Sequence, residues 1–347
     1  MRRDAVKTKP APYSILLAGK TNGFDMRGKM VKGVGNSLGA GALWGLVFLA
    51  PLLLKDFTPL QLAAARYLAY GVVAAVLLLS RWRMVLHQMS GAEWRALVWL
   101  SMLGNILYYV LLATAVQWAG GASTALIIGL LPLVVTLIGA RDSGALRFKK
   151  LAPPLLLSLF GVALVGVDGI LAEAGVQTGN VALRIAGLVC ACGALASWSV
   201  YSIGNSRWLL RRPDISSHDW SLLTGIVTGA LALLLVIPGF WAAPQHANPA
   251  WLRFWSVNVG VAVLASVVGN AFWNRASRLL PLTLMGQMIV FETLFALLYG
   301  FLWEQRMPST LEVVAIVCLV SGVLWCASLH RGHGAHAVPQ SKTAVGS

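Results

Sequence analysis

Charged residues are scarce in this sequence, and that scarcity excludes an ordinary soluble globular protein. Only 11% of the 347 residues are Asp, Glu, Lys or Arg, whereas soluble domains carry about 25%. Acidic residues are the rarer charged class, with 12 Asp and Glu against 27 Lys and Arg. With 58% hydrophobic residues and a mean hydropathy of +0.74, the composition indicates an integral membrane protein.

Motifs of common membrane enzymes and pumps are also missing. The sequence has no Walker A motif for ATP-driven pumping, no His-Glu-x-x-His zinc motif and no Gly-x-Ser-x-Gly nucleophile elbow. His87, His218 and His246 fall in predicted loops, so no histidine lies at membrane depth to act as a catalytic base. The sequence therefore predicts a protein that is not an enzyme and that uses no metal or other cofactor.

Cysteine usage gives no sign of a metal site or a disulfide. Cys190, Cys192, Cys318 and Cys326 all fall in predicted membrane spans, where buried free thiols are the expected state. The remaining histidines lie near the C-terminus, in a segment predicted to be a disordered tail. Those three residues are His330, His333 and His336.

What the sequence has in abundance is long apolar runs. They lack the strict two-residue alternation of a membrane barrel, and many approach the roughly 20 residues that a helix needs to cross about 30 Å of hydrocarbon. The predicted fold class is an all-α polytopic membrane protein with ten transmembrane helices. The predicted spans are 33–53, 59–80, 96–117, 121–139, 151–170, 182–203, 220–240, 256–274, 281–300 and 309–329.

The distribution of basic residues predicts the orientation in the membrane. Of the 27 Lys and Arg residues, 22 lie in the terminal segments and in alternate loops, 4 lie in the other loops, and Arg66 lies within a span. By the positive-inside rule this bias places both termini in the cytoplasm of a bacterial inner membrane. It also attributes the net charge of +15 to membrane orientation and not to nucleic-acid binding.

The two ends of the chain are predicted to be cytoplasmic tails. Residues 1–32 form a basic segment without an adequate apolar core for a signal peptide, and Met26 or Met30 is an alternative start. Residues 330–347 are predicted to be disordered.

Ten spans divide into two sets of five, 33–170 and 171–329, and an odd number forces the second set to insert upside down. Traces of duplication remain, because the segment from Gly39 to Trp44 resembles the segment from Gly193 to Trp198. Inverted repeats are typical of secondary transporters, which bind substrate near the midplane between the two halves.

Several motifs carry a family resemblance that covers roughly residues 33–329. They are ALWG (42–45), ARYL (65–68), Ala115 with Pro132, NRAS (274–277) and LWEQRMPSTLEVV (302–314). Their order and spacing resemble the ten-helix drug/metabolite transporter superfamily with paired EamA-type repeats, and within it the chain is most similar to YddG-type aromatic amino acid exporters. The resemblance implies that spans 1, 3, 4, 6, 8 and 9 surround a central cavity. The chain departs from the family pattern at Glu292, which stands where a proline is common.

Polar and aromatic side chains within those spans are the candidate substrate-binding residues. On the third span, Asn105, Tyr108 and Tyr109 share one helical face. The full candidate set is Trp44, Asn105, Tyr108, Tyr109, Trp198, Tyr201, Asn270, Trp273, Gln287 and Glu292. The three tryptophans are equally consistent with ordinary packing. Asn270 and Asn274 are also consistent with hydrogen bonds between helices.

Glu292 and Arg66 are the charges that need a separate interpretation. Glu292 has three open roles: it holds a substrate ammonium, carries a coupled proton, or pairs with Arg66. Arg66 is interpreted as a structural or interface residue, because span two is expected to lie peripherally. Glycine pairs such as Gly41/Gly45 and Gly225/Gly229 are interpreted as close helix contacts.

The sequence thus predicts a secondary transporter or facilitator that exports small amphipathic metabolites, with aromatic and other apolar amino acids as the expected substrates. Aromatic side chains suit an apolar ring, while amides and hydroxyls suit the ammonium and carboxylate. Export of cationic drugs or of another metabolite is the alternative. The expected partners are the substrate and the lipid bilayer. The exact substrate, proton coupling and oligomeric state stay open, with a monomer plausible.

Overall fold

The computed structural model describes residues 23–54, 56–119, 121–142, 145–173, 181–241 and 247–336. These residues form helices and connecting turns, with no strand among them. The α-helices, in chain order from α1 to α16, are Gly23–Gly45, Leu49–Leu53, Pro59–Leu78, Trp82–His87, Gly91–Ser101, Tyr108–Ala119, Gly121–Ile128, Leu131–Gly139, Phe148–Glu173, Val181–Arg211, Ser217–Phe240, Asn248–Val261, Asn270–Leu279, Leu282–Met288, Val290–Glu304 and Thr310–His336. Two 3₁₀ turns, Leu46–Phe48 and Leu79–Arg81, and two π-helical segments, Met102–Leu107 and Ala262–Gly269, join some of them.

Within the described residues, eight helical segments are long and apolar enough to cross a membrane. They coincide with the predicted second, third and fifth to tenth spans. The eight are Leu60–His87, Gly91–Val116, Phe148–Val167, Val181–Arg211, Ser217–Phe240, Asn248–Leu279, Leu282–Trp303 and Thr310–His330. The chain is therefore a multi-pass helical membrane protein, as the composition predicts.

The other two predicted spans are interrupted helices. The first, 33–53, changes to a 3₁₀ turn at Leu46–Phe48, where Pro51 has no backbone N–H to donate to residue 47. The fourth, 121–139, divides between α7 and α8, and Pro132 occupies the first turn of α8, the position where a missing N–H costs least. Both interruptions are local, and the apolar run continues across each of them.

Helix extends into both predicted tails. The first helix begins at Gly23, inside the basic segment predicted as 1–32, while residues 1–22 lie outside the described part. The last helix continues to His336, past the predicted boundary at residue 330, and residues 337–347 lie outside the described part.

The long helices pack in a defined set of pairs. Helix α3 packs along α11, α9 along α16, and α6 along α10, while α1 contacts both α13 and α15, and α8 contacts α14. Helices α3 and α11 approach each other closely, since a Cβ built on Gly71 would lie 2.7 Å from the Cα of Gly229. The predicted role of Gly225/Gly229 in helix contact is confirmed, because only residues without a side chain fit there.

Loops predicted for the same side of the membrane meet at the same end of the protein. At one end, here called the basic end, Arg81 pairs with Asp219 at 2.9 Å and Arg207 pairs with Asp142 at 3.1 Å. At the opposite end, Arg253 pairs with Asp56 at 3.1 Å. These pairs join loops far apart in sequence and agree with the predicted alternation of the connections.

Candidate functional site

Three tryptophans from three helices meet in the middle of the protein. Trp44 of α1, Trp198 of α10 and Trp273 of α13 have ring centroids 5.1 to 6.4 Å apart. Trp198 and Trp273 are buried, and Trp44 is half-buried. We call these three residues the tryptophan cluster, and it supplies a rigid aromatic surface of the kind that packs against apolar ligands.

Local backbone irregularity positions Trp44. Its indole Nε1 donates to the carbonyl oxygen of Ala265 at 3.1 Å, and Ala265 lies in the π-helical segment Ala262–Gly269. A π-helical turn disturbs the regular pattern of backbone hydrogen bonds, so a carbonyl in it is open to a donor from another helix. Gly269 leaves room for the ring, since a Cβ there would lie 3.0 Å from the same Nε1.

The second π-helical segment, Met102–Leu107, arranges the third predicted span. Asn105 in this segment donates from Nδ2 to Thr228 Oγ1 at 3.2 Å, and its neighbour Gly104 lies directly against the ring of Tyr201. Tyr201 in turn packs edge-on to Trp198 at 6.0 Å. Asn105 and Tyr201 are thus held between helices.

A group of charged and phenolic side chains lies beside the tryptophan cluster. Arg66 of α3 donates from Nε to Ser266 Oγ at 3.1 Å and lies 5.4 Å from the centre of the Tyr67 ring. Tyr67 packs edge-on to Tyr109 at 6.0 Å. Arg66 was interpreted as a structural or interface residue of a peripheral span. It does join two helices, because α3 packs against the π-helical segment of the eighth predicted span, where Ser266 accepts its hydrogen bond.

Glu292 lies in the first turn of α15, immediately after the break between α14 and α15. Gly41 of α1 permits close packing there, since a Cβ on it would lie 3.0 Å from the Glu292 backbone nitrogen. Gly41 precedes Trp44 by one turn, and Trp44 bonds to Ala265, the neighbour of Ser266, to which Arg66 bonds, so α1 brings Glu292 and Arg66 to the same region. Within the part of the chain that the structure describes, the two form no direct ion pair, so the predicted Arg66–Glu292 pair is absent as a contact.

The site opens toward the end opposite the basic end. Residues 108–114 of α6 and 291–297 of α15 are each partly exposed at every position. A helix packed on one side only would alternate buried and exposed positions with a period of 3.6, so seven consecutive partly exposed positions mean that neither segment is fully packed by its neighbours on any side. We call these two partly exposed segments, which begin at Tyr108 and next to Glu292, the outer cleft.

The basic end is closed. Every residue of α14, Leu282–Met288, is buried, and the cavity beneath it has a volume of about 40 Å³. That volume holds a few waters at most. Asn205 and Asn274 share a hydrogen bond of 2.8 Å there, and Trp220 Nε1 donates to the same Asn205 at 2.8 Å. Asn274 therefore forms a hydrogen bond between helices, as the sequence analysis allowed for this residue.

Ion pairs between the connecting loops cover the basic end of the helices. Arg212 pairs with Glu93 and with Asp214, and it donates from Nη2 to the Gln88 carbonyl at 2.7 Å. The bond to Arg212 holds the pKa of Asp214 below its ordinary value, and the same bond raises the pKa of Arg212. Both groups therefore stay charged at neutral pH, and the contact weakens only in acid, as Asp214 is protonated.

The remaining two candidates lie away from the outer cleft. Asn270 donates from Nδ2 to the Tyr70 hydroxyl at 3.3 Å, and Tyr70 donates to the Ser221 carbonyl at 2.8 Å. Gln287 is fully buried and donates to Ser158 of α9.

Of the predicted residues, the structure brings Trp44, Trp198, Tyr201 and Trp273 together in one cluster and Tyr108, Tyr109 and Glu292 together beside it.

Sequence reasoning missed Arg66 and Tyr67 as members of this group. The available signal was a lone arginine within an apolar span, since such residues almost always face an interior or a water-filled cavity. In the described residues, no three His, Cys, Asp or Glu side chains come together as a metal site.

The chain is 36% identical over 308 residues to the inner membrane protein YtfF of Escherichia coli (strain K12), a match that covers 85% of this chain and 94% of YtfF. The chain belongs to the YtfF family. It is accordingly a multi-pass protein of the inner membrane.

Comparison with solved structures bears on the fold alone. One crystal structure superposes with a TM-score of 0.65 at 23% identity, covering 86% of this chain and 98% of that one. No protein-family model matches the chain. The helical architecture of this member of the YtfF family thus recurs, over nearly its full length, in another protein.

Proposed function

We propose that this protein is a secondary transporter or facilitator that exports small amphipathic metabolites, with aromatic and other apolar amino acids as substrates. The observation that carries the proposal is the placement of two half-buried charges, Arg66 and Glu292, within apolar helices and beside the tryptophan cluster, between the partly exposed outer cleft and the closed basic end. A charge at that depth costs several kcal/mol unless it is paired or hydrated. A binding function offsets that cost, whereas a scaffold has no use for it.

The proposal includes ten spans in two inverted five-helix repeats, 33–170 and 171–329, as the resemblance to the drug/metabolite transporter superfamily implies. Corresponding spans share their irregularities: the third and the eighth contain π-helical segments, and the fourth and the ninth are both broken. Counterpart helices also pack on each other, α3 on α11 and α9 on α16. Such correspondence is expected of a duplicated five-helix unit.

Orientation follows from the charge bias. If the basic end is cytoplasmic, the structure is the outward-open state, and export requires a second state in which the basic end opens to load substrate.

Counterflow by the purified protein in liposomes tests the function. Vesicles loaded with unlabelled L-phenylalanine are expected to accumulate labelled L-phenylalanine transiently, with and without a pH gradient, and protein-free vesicles serve as the control. Acceleration by the gradient would mean proton coupling, and equal rates would mean facilitated transport. No accumulation of any amino acid from a panel would contradict the proposal.

A cationic drug is a second candidate, favoured by the presence of both the tryptophan cluster and the Glu292 carboxylate, since aromatic faces and carboxylates both attract cations. The same liposomes, offered a quaternary ammonium compound in place of amino acids, distinguish the two classes.

Cysteine labelling tests the orientation. In a variant lacking native cysteines, Met307→Cys at the opposite end is expected to react with a membrane-impermeant maleimide in intact cells, because Met307 is 88% exposed. His87→Cys, exposed at the basic end, is expected to react only after the cells are opened. The reverse pattern would invert the proposed topology.

A further inference from the structure

Arg66 holds a guanidinium in the membrane interior with most of its donors unused. Its Nε bonds to Ser266, and in the described residues its two terminal nitrogens make no hydrogen bond and no ion pair. Ser266 and the Tyr67 ring fix the side chain, so the fork of terminal nitrogens is held in place. A fixed guanidinium fork fits a carboxylate with two parallel hydrogen bonds.

Glu292 presents the complementary group. Its side chain is half-buried, and the described part of the protein gives its carboxylate no hydrogen bond and no ion pair. Its backbone packs on Gly41, one helical turn before Trp44, and Trp44 bonds to the residue preceding Ser266, the partner of Arg66. The two charged side chains belong to separate helices, α15 and α3, and make no contact with each other. Two opposite charges that lie close but leave a gap form a site for a molecule that carries both signs.

The tryptophan cluster lies beside the cationic half of this site. Trp44 bonds to Ala265 and Arg66 bonds to Ser266, which are consecutive residues of one π-helical segment. A ligand whose carboxylate reaches Arg66 therefore lies next to the Trp44 indole. Tyr109, the neighbour of Tyr108, packs on Tyr67 beside Arg66, which brings this part of α6 to the same region.

We infer that the site selects zwitterions: Arg66 binds the carboxylate of an α-amino acid, Glu292 binds its ammonium group, and the tryptophan cluster packs against its side chain. This inference rests on the proposed function and specifies its substrate class. A purely cationic ligand leaves Arg66 unpaired and is repelled by it, while a purely anionic ligand leaves Glu292 unpaired. Both are penalised because a buried charge without a partner is costly.

Binding to the purified wild-type protein supplies the first test, with tryptophan fluorescence as the readout. The probes are L-phenylalanine, phenethylamine, which lacks the carboxylate, and 3-phenylpropanoate, which lacks the ammonium group. L-Phenylalanine is expected to bind at least about tenfold more tightly than either analogue, as the loss of one charge-assisted hydrogen bond implies. Equal binding of phenethylamine or of 3-phenylpropanoate would overturn the inference.

Two substitutions assign the charges. Arg66→Gln is expected to weaken L-phenylalanine binding about tenfold to a hundredfold while phenethylamine binding holds or improves, because a repelling charge is removed. Glu292→Gln is expected to weaken both amines and to spare 3-phenylpropanoate. Arg66→Lys, which keeps the charge without the fork, is expected to recover part of the affinity. Arg184→Gln, the same change at an exposed arginine, is the control and should match the wild type.

The outcomes separate the two proposals. Wild-type affinity for L-phenylalanine in Arg66→Gln would overturn the zwitterion site. Counterflow of phenethylamine as fast as that of L-phenylalanine would overturn it while leaving the transporter in place, and absence of counterflow for every amino acid would overturn both. If a substitution prevents folding, the ranking of the three probes on the wild type still decides.

Discussion

Gly229→Leu is expected to abolish folded protein. A Cβ at position 229 would lie 2.6 Å from the Cα of Gly71, a distance too short for two carbons that are not bonded. The obstacle is backbone and cannot rotate away, so α3 and α11 would have to separate along their shared face. Ordinary overpacking of a core costs about 1–3 kcal/mol, and this substitution should exceed that range. The measurement is the monodisperse fraction of detergent-solubilised protein and its thermal midpoint.

Gly260→Leu is the matched control. Gly260 also lies inside an apolar helix, α12, but a Cβ there meets no atom within 4 Å. Replacing a glycine in a helix interior by leucine gains up to about 1 kcal/mol of helix propensity, so yield and thermal midpoint should be equal or higher. Comparable losses in both variants would mean that glycine itself, and not the contact with Gly71, is what these helices require.

The contact between Gly71 and Gly229 illustrates what could be predicted from the sequence. Apolar runs, loop charges and the glycine pair at Gly225/Gly229 gave the helical class, most span positions and the use of small residues at helix contacts. Each depends on local composition, which one sequence displays directly. Composition alone does not tell whether the runs 33–53 and 121–139 are continuous helices. One proline in each run decides where the helix is interrupted.

The candidate site was harder to predict because its members depend on which helices pack together. Tyr108 and Glu292 were named from their depth, and the structure places them at one cleft. Gln287 was named by the same criterion, yet its partner is Ser158 on α9. Arg66 was assigned to a peripheral span, and only the packing of α3 against the π-helical segment at Ala262–Gly269 turns it inward. Depth can be read from a sequence, but the direction a side chain faces requires its neighbours.

Arg212→Gln is expected to open the basic end. Arg212 joins the loop after α10 to Glu93 of α5 and to the Gln88 carbonyl at the end of α4, and Arg278 of α13 donates to the carbonyls of Arg212 and Ile215. Glu93 is only 7% exposed, so removing Arg212 leaves a nearly buried carboxylate without its cationic partner in the closed state, with the Ser90 N–H and hydroxyl still donating to it. That penalty falls away once the loops separate and water reaches Glu93. The variant should therefore shift the population toward a state open at the basic end.

Ser277 reports the shift, because it is 1% exposed and borders the small cavity at the basic end. In a background without native cysteines, Ser277→Cys is expected to react slowly with a maleimide, and adding Arg212→Gln should raise the rate about tenfold or more, which corresponds to about 1.4 kcal/mol. Arg253→Gln removes an ion pair at the opposite end, where both partners are at least half exposed and such pairs contribute about 0–1 kcal/mol; it should leave the rate unchanged. An unchanged rate in Arg212→Gln would mean that helix packing, and not this network, keeps the basic end closed. Opening by Arg212→Gln alone would identify the network as the contact that substrate loading must break.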